Sequence, residues 1–157
     1  MPTRSIHQWF AEYGESHRDP TNTLIHWICV PAIYFSIVGL LVAIPSPSVS
    51  VLAAHHVWAY LALLGVLFFY VQRSIPIAIG MVVWSLLCVA VAIWLQRHAP
   101  WPLWAICIGV FALAWVGQFY GHHVEGRKPS FLKDLQFLLI GPAWLLAKIY
   151  RRFGIPF

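Results

Sequence analysis

The stretch IPIAIGMVVWSLLCVAVAIWL, residues 75–95, runs for twenty-one positions without a charged side chain. About 20 apolar residues are what an α-helix needs to cross the ~30 Å hydrocarbon core of a bilayer. Pro76 falls at the start of the run, where a missing N–H costs nothing. Three more runs of this kind lie at residues 23–44, 51–71 and 102–122, joined by Pro45-Ser46-Pro47-Ser48, Gln72-Arg73-Ser74 and Gln96-Arg97-His98-Ala99-Pro100. The chain as a whole is 61% hydrophobic and 10% charged. A soluble domain carries about a quarter charged residues, so this chain has too little polar surface to cover a globule in water. The sequence therefore predicts an all-α integral membrane protein: a four-helix bundle in a single domain over residues 1–157. Pro31, inside the first run, should kink that helix or shift its backbone pairing.

The charges orient the bundle. With the N-terminus inside, the cytoplasmic segments hold Arg4, Arg18, Arg73, Arg127, Lys128, Lys133, Lys148, Arg151 and Arg152, and the far side holds Arg97 alone. That asymmetry predicts both termini on the cytoplasmic face, of a bacterial inner membrane or of the endoplasmic reticulum in a eukaryote. The net charge of +5 is spread around the ends of the spans rather than gathered on one face, which argues for lipid headgroups and against nucleic acid. Met1 to Asn22 is polar and charged throughout, so the first span is expected to act as an uncleaved signal. Cys29, Cys88 and Cys107 lie inside apolar runs without CxxC spacing and read as small buried hydrophobes.

Two flanking segments predict interfacial helices. At residues 3–18, Ser5 and Gln8 have capping-box spacing, and Ile6, Trp9, Phe10 and Tyr13 follow on one helical face that points on toward His17. Asp19-Pro20 then stops the helix. Residues 131–150 contain an uncharged stretch broken by Gly141-Pro142, too short to span, and are expected to lie in the interface or re-enter it.

Eight histidines are spread over the chain, and an even number of spans brings four of them together. His17 and His26 flank the start of the first span, while His122 and His123 end the fourth. Trp115, Gln118, His122 and Glu125 share one helical stripe, and Asn22 and His26 stand four apart on another, with Asn22 also able to cap its helix. Imidazoles with a carboxylate suit Fe(II) or Zn(II). Glu125 is then a ligand or an acceptor for an imidazole N–H. The alternatives are interfacial histidines bonded to headgroups, a haem held by paired histidines, or a proton or ion carrier with Gln118, His122 and Glu125 as relay. His123 points about 100° away from His122. His7, His55, His56 and His98 read as solvated or headgroup-facing.

The stretch YGESHRDPTNTLIH (residues 13–26) with Val30-Pro31, and the stretch QFYGHHVEGRKPSF (residues 118–131), together resemble the two signature blocks of the membrane 2-hydroxy fatty acid dioxygenases. The resemblance spans essentially the whole chain. It implies an Fe(II)-dependent oxidation of a 2-hydroxy fatty acid by O₂ to a fatty acid one carbon shorter, with loss of CO₂, in lipid α-oxidation. It also implies iron on His17, His26 and His122, with Asn22, Gln118 and Glu125 as further ligands or catalytic partners. Arg127 and Lys128 follow directly and are candidates to hold the substrate carboxylate.

Overall fold

The computed structural model describes residues 5–46, 56–126 and 137–157. Among these residues there are six helices and no strand: α1 Ile6–Gly14, α2 Pro20–Ala43, α3 Val57–Val71, α4 Ile75–His98, α5 Leu103–Val124 and α6 Ile140–Arg152. Local chemistry sets their starts. The Gln8 N–H donates to Ser5 Oγ (3.3 Å) and the Ser5 N–H donates to Gln8 Oε1 (2.9 Å), closing the expected capping box on α1. The start of α2 differs from the expected one. Asp19 Oδ1 accepts from the Thr21 and Asn22 N–H groups at 2.7 and 3.1 Å, with Pro20 in the first turn. Asp19 is thus the cap, α2 begins three residues before Thr23, and the Asn22 side chain is released for another contact. Ser74 Oγ caps α4 by accepting from Ile77 N–H. Pro31 lies inside α2, which continues past it to Ala43.

α2, α4 and α5, at 24, 24 and 22 residues, are long and apolar enough to cross a membrane. The described part of the expected span at 51–71 is shorter: α3 has 15 residues, a rise of about 22 Å, and residues 51–55 are outside the described set. Exposure follows a lipid solvent rather than water. Leu113 is 75% exposed, Ile28 69% and Phe68 68%, whereas Asn22, His26 and Gln118 are buried. A protein that hides amides and shows leucine is arranged for hydrocarbon.

The closest helix pair is α2 with α5. They run antiparallel, and small residues let their backbones approach: Gly39 faces Cys107, Gly117 faces Cys29 and Gly121 faces Asn22. A Cβ added at Gly117 would stand 2.6 Å from the Cys29 sulfur. Two of the three free, buried cysteines, Cys29 and Cys107, are therefore spacers opposite glycines, the small-residue packing that brings helices together in lipid. The two expected flanking helices pack on one another at one end of the bundle, where Phe10 and Tyr13 of α1 join Ile140, Ala143 and Trp144 of α6 in the main core. Two tyrosines tie α6 to the α3–α4 turn. The Tyr70 hydroxyl donates to the Leu139 carbonyl, and the Tyr150 hydroxyl donates to the Pro76 carbonyl at 2.9 Å.

These contacts generate a stability prediction. Gly117→Val should destabilise the protein by about 1–3 kcal/mol through overpacking against Cys29. Gly109→Ala, where an added Cβ meets nothing within 4 Å, should be neutral or slightly stabilising. Thermal unfolding in detergent, followed by tryptophan fluorescence, compares the two.

Candidate metal centre

His17 lies in the linker between α1 and α2, His26 one turn into α2 beyond Asn22, and His122 near the end of α5. All three are buried, at 7%, 1% and 5% exposure. Their ring centroids are 4.2 Å (His17–His26), 5.3 Å (His17–His122) and 5.1 Å (His26–His122) apart. One nitrogen from each falls within 4.8 Å of the others, a spacing that one ion can bridge.

The backbone sets two of the tautomers. His17 Nδ1 is 2.6 Å from the Tyr13 carbonyl and His26 Nδ1 is 2.8 Å from the Asn22 carbonyl, each four residues back. A carbonyl only accepts, so each Nδ1 carries the proton and each Nε2 keeps its lone pair for the centre. His17 Nε2 is buried and has no hydrogen-bond partner. Such an orphaned acceptor is what a ligand atom looks like before its ion is counted. Burial holds the His17 imidazole down at about 4, only partly offset by the bond to the Tyr13 carbonyl, so the ring is neutral at physiological pH. Tyr13 stacks on it at 4.1 Å, with Trp144 at 5.6 Å. The donor set fits a divalent transition metal: three buried imidazoles, two of them aimed by their own backbone bonds.

Gln118 is buried in the same place and lines the small cavity beside the His26 and His122 rings. Glu125 stands differently from the ligand or imidazole acceptor that its spacing suggested. Its Oε1 accepts from the Arg18 N–H and its Oε2 from the Asp19 N–H, both at 2.9 Å, and Asn22 Nδ2 donates to Oε2 at 3.0 Å. The same Asn22 amide donates to the Ser16 carbonyl (3.1 Å), and the Thr23 hydroxyl donates to the His17 carbonyl (3.2 Å). The carboxylate therefore fastens the His17 linker to the end of α5. Burial pushes the Glu125 carboxyl up, but the bonds from Asn22, Arg18 and Asp19, together with nearby His17, outweigh it and hold it below the usual range. Gly121 makes this possible, since a Cβ there would stand 2.5 Å from Asn22 Oδ1.

Not every expected residue joins the cluster. His123 is exposed on the other side of α5, as the 100° step implies, and Arg127, Lys128 and His55 lie outside the described residues. His7 packs on Phe157, His56 bonds the Val42 carbonyl and His98 stacks on Trp94. Sequence reasoning placed Tyr13 and Gly121 in the two signature blocks but gave neither a role at the centre. The signal for Tyr13 was present, because it precedes His17 by the same four residues that separate Asn22 from His26. That spacing is not specific, however: exposed His98 bonds the Trp94 carbonyl in the same way at 2.8 Å.

Fold and site together define an all-helical protein with three helices long and apolar enough to cross a membrane and a buried three-histidine cluster where the start of α2 meets the end of α5. A family model described as "2-hydroxy-palmitic acid dioxygenase Mpo1-like" matches residues 3–153, and the chain belongs to that family. It is also 29% identical, over 151 residues, to the 2-hydroxy-palmitic acid dioxygenase MPO1 of Saccharomyces cerevisiae, covering 90% of this chain and 78% of the yeast protein. No solved structure matches the chain.

The clamp carries its own prediction. Glu125→Ala should lower stability by about 1–2 kcal/mol, because two backbone N–H groups lose a charged acceptor. Glu125→Gln should recover only part of the loss, since its side chain offers one acceptor oxygen where two are used. Melting curves of the three proteins in one detergent give the ranking.

Proposed function

We propose that the protein is an Fe(II)-dependent dioxygenase of the inner-leaflet interface that shortens 2-hydroxy fatty acids by one carbon. The observation that carries this reading is the convergence of three buried imidazoles, with His17 Nε2 unpartnered, in a chain of the Mpo1-like family. His17, His26 and His122 would hold the iron. The yeast relative's name specifies its substrate class and its use of O₂, and the site's chemistry is compatible with both. The haem alternative fits less well, because the cavity beside the rings is only about 40 Å³, too small for a macrocycle.

The reaction balances without an external reductant: R–CH(OH)–COOH and O₂ give R–COOH, CO₂ and H₂O. The C1–C2 bond breaks, C2 is oxidised to a carboxyl carbon, and O₂ takes up four electrons. A bound ferrous ion would supply the redox chemistry and the Lewis acidity that draws the substrate's carboxylate and 2-hydroxyl together. The protein's own groups do the rest. The Tyr13 and Asn22 carbonyls aim two imidazoles, and burial excludes bulk water from the ring nitrogens. Gln118 offers a buried amide for orienting the substrate's polar end, and the Glu125–Asn22 clamp holds the linker that carries His17. Arg127 and Lys128 keep the proposed role of attracting the carboxylate. With both termini in the cytoplasm, the centre lies at the depth of the inner-leaflet headgroups, where the acid end of an amphiphile resides.

Two measurements test this. His17→Ala, His26→Ala and His122→Ala should each lose most of the iron found by elemental analysis of the wild type. Iron unchanged in all three would overturn the site. Iron-loaded wild type given 1-¹³C-labelled 2-hydroxypalmitate and O₂ should release ¹³CO₂ and pentadecanoate in equal amounts, and the absence of both would overturn the reaction.

A further inference from the structure

The two helices that meet at the histidines carry matching stripes. On α2, His26 is followed inward by Val30, Ile33 and Ile37. On α5, read in the opposite direction, His122 is followed by Gln118, Trp115 and Phe111. Both stripes use steps of four, three and four, so each keeps to one helical face. Both begin at a histidine of the centre and become apolar with depth. The small cavity at the centre is walled by members of both stripes and covered by Leu138 and Pro142. Below it, Ile33 belongs to a second apolar cluster, separate from the main core, in which Ile37, Phe111 and Trp115 are only partly buried. The partly buried side of this cluster continues the histidine-lined cavity directly.

We infer that this paired stripe is the binding path for the substrate's acyl chain, which runs from the histidines down over Ile33 and Ile37 of α2 and against Trp115 and Phe111 of α5. The inference rests on the proposed oxidation of an amphiphilic acid at the centre. The path is polar at one end and apolar beyond, as such a molecule is. Its length also fits. From His26 to Ile37 the helix rises about 16 Å, roughly half of the ~30 Å hydrocarbon core and so the depth of one leaflet. Two larger lipid-facing grooves exist, of about 260 Å³ between α3 and α4 and about 200 Å³ beside Trp84 and Leu145. No histidine lines either one, so a chain lodged there would hold its acid end away from the reacting groups.

The test is a photoreactive 2-hydroxy fatty acid with a diazirine at its methyl end, bound to the iron-loaded protein without O₂, irradiated, and mapped by peptide mass spectrometry. The long probe should label the peptides around Ile37 and Phe111, and a short-chain probe those around Ile33 and Trp115. Ile37→Trp, checked for unchanged iron content and melting temperature, should raise the KM for 2-hydroxypalmitate by about tenfold or more while leaving 2-hydroxyoctanoate unaffected. Label confined to the α3–α4 groove or to the groove at Trp84, or spread evenly over lipid-facing residues, would overturn the path even if the enzyme turns over its substrate. Label on the stripes without any turnover would keep the path and retire the oxidation.

Discussion

A single carboxylate holds the two ends of this site together. Glu125, at the end of α5, accepts from the successive backbone N–H groups of Arg18 and Asp19, just ahead of α2. Two adjacent N–H groups near a helix N-terminus form a concavity that favours an anion, and the helix dipole adds to it. The linker between α1 and α2 is short, and it is tied at Ser16, Arg18, Asp19 and His17 to groups on α2 and α5. His17 therefore has a defined position although it belongs to no helix. Remove that constraint and the centre keeps two imidazoles on a packed helix pair, while the third is held only by its contacts with Tyr13 and Trp144.

That packed pair has a different origin. α2 and α5 approach through Gly39, Gly117 and Gly121, each set against a small or polar side chain of the other helix. In lipid there is no hydrophobic gain from burying leucine against leucine, so close backbone packing must do the work. The pair also fixes depth. His26 and His122 are brought level by the antiparallel register, and the same register sets the parallel descent of the two stripes below them.

Much of this could be read from the residues alone, and the boundary follows interaction range. The spans at 75–95, 102–122 and 23–44 rest on local composition, and the helices α4, α5 and α2 occupy them to within a few residues. The Ser5–Gln8 box is likewise a contact between neighbours. The convergence of His17, His26 and His122 was legible because an even span count places them at one end, which needs topology but no detail. The job of Glu125 was not legible. Its spacing from His122 suggested metal chemistry, whereas its actual partners lie more than a hundred residues away on the backbone, where side-chain pattern carries no trace. Asn22 misled in a related way: it is a good capping residue, but Asp19 took the cap, and Asn22 was left to bridge Ser16 and Glu125.

The placement of the three histidines also has a consequence for how the protein is made. His17 and His26 leave the ribosome early, whereas His122 and the Glu125 that clamps the His17 linker emerge some hundred residues later. An ion that needs all three rings finds no complete site until α5 has been inserted and has closed against α2. During synthesis the chain thus presents His17 and His26 without the third ring that completes the cluster. Capture of an ion by all three rings would then fall among the last events of biogenesis, coupled to the closing of α5 against α2.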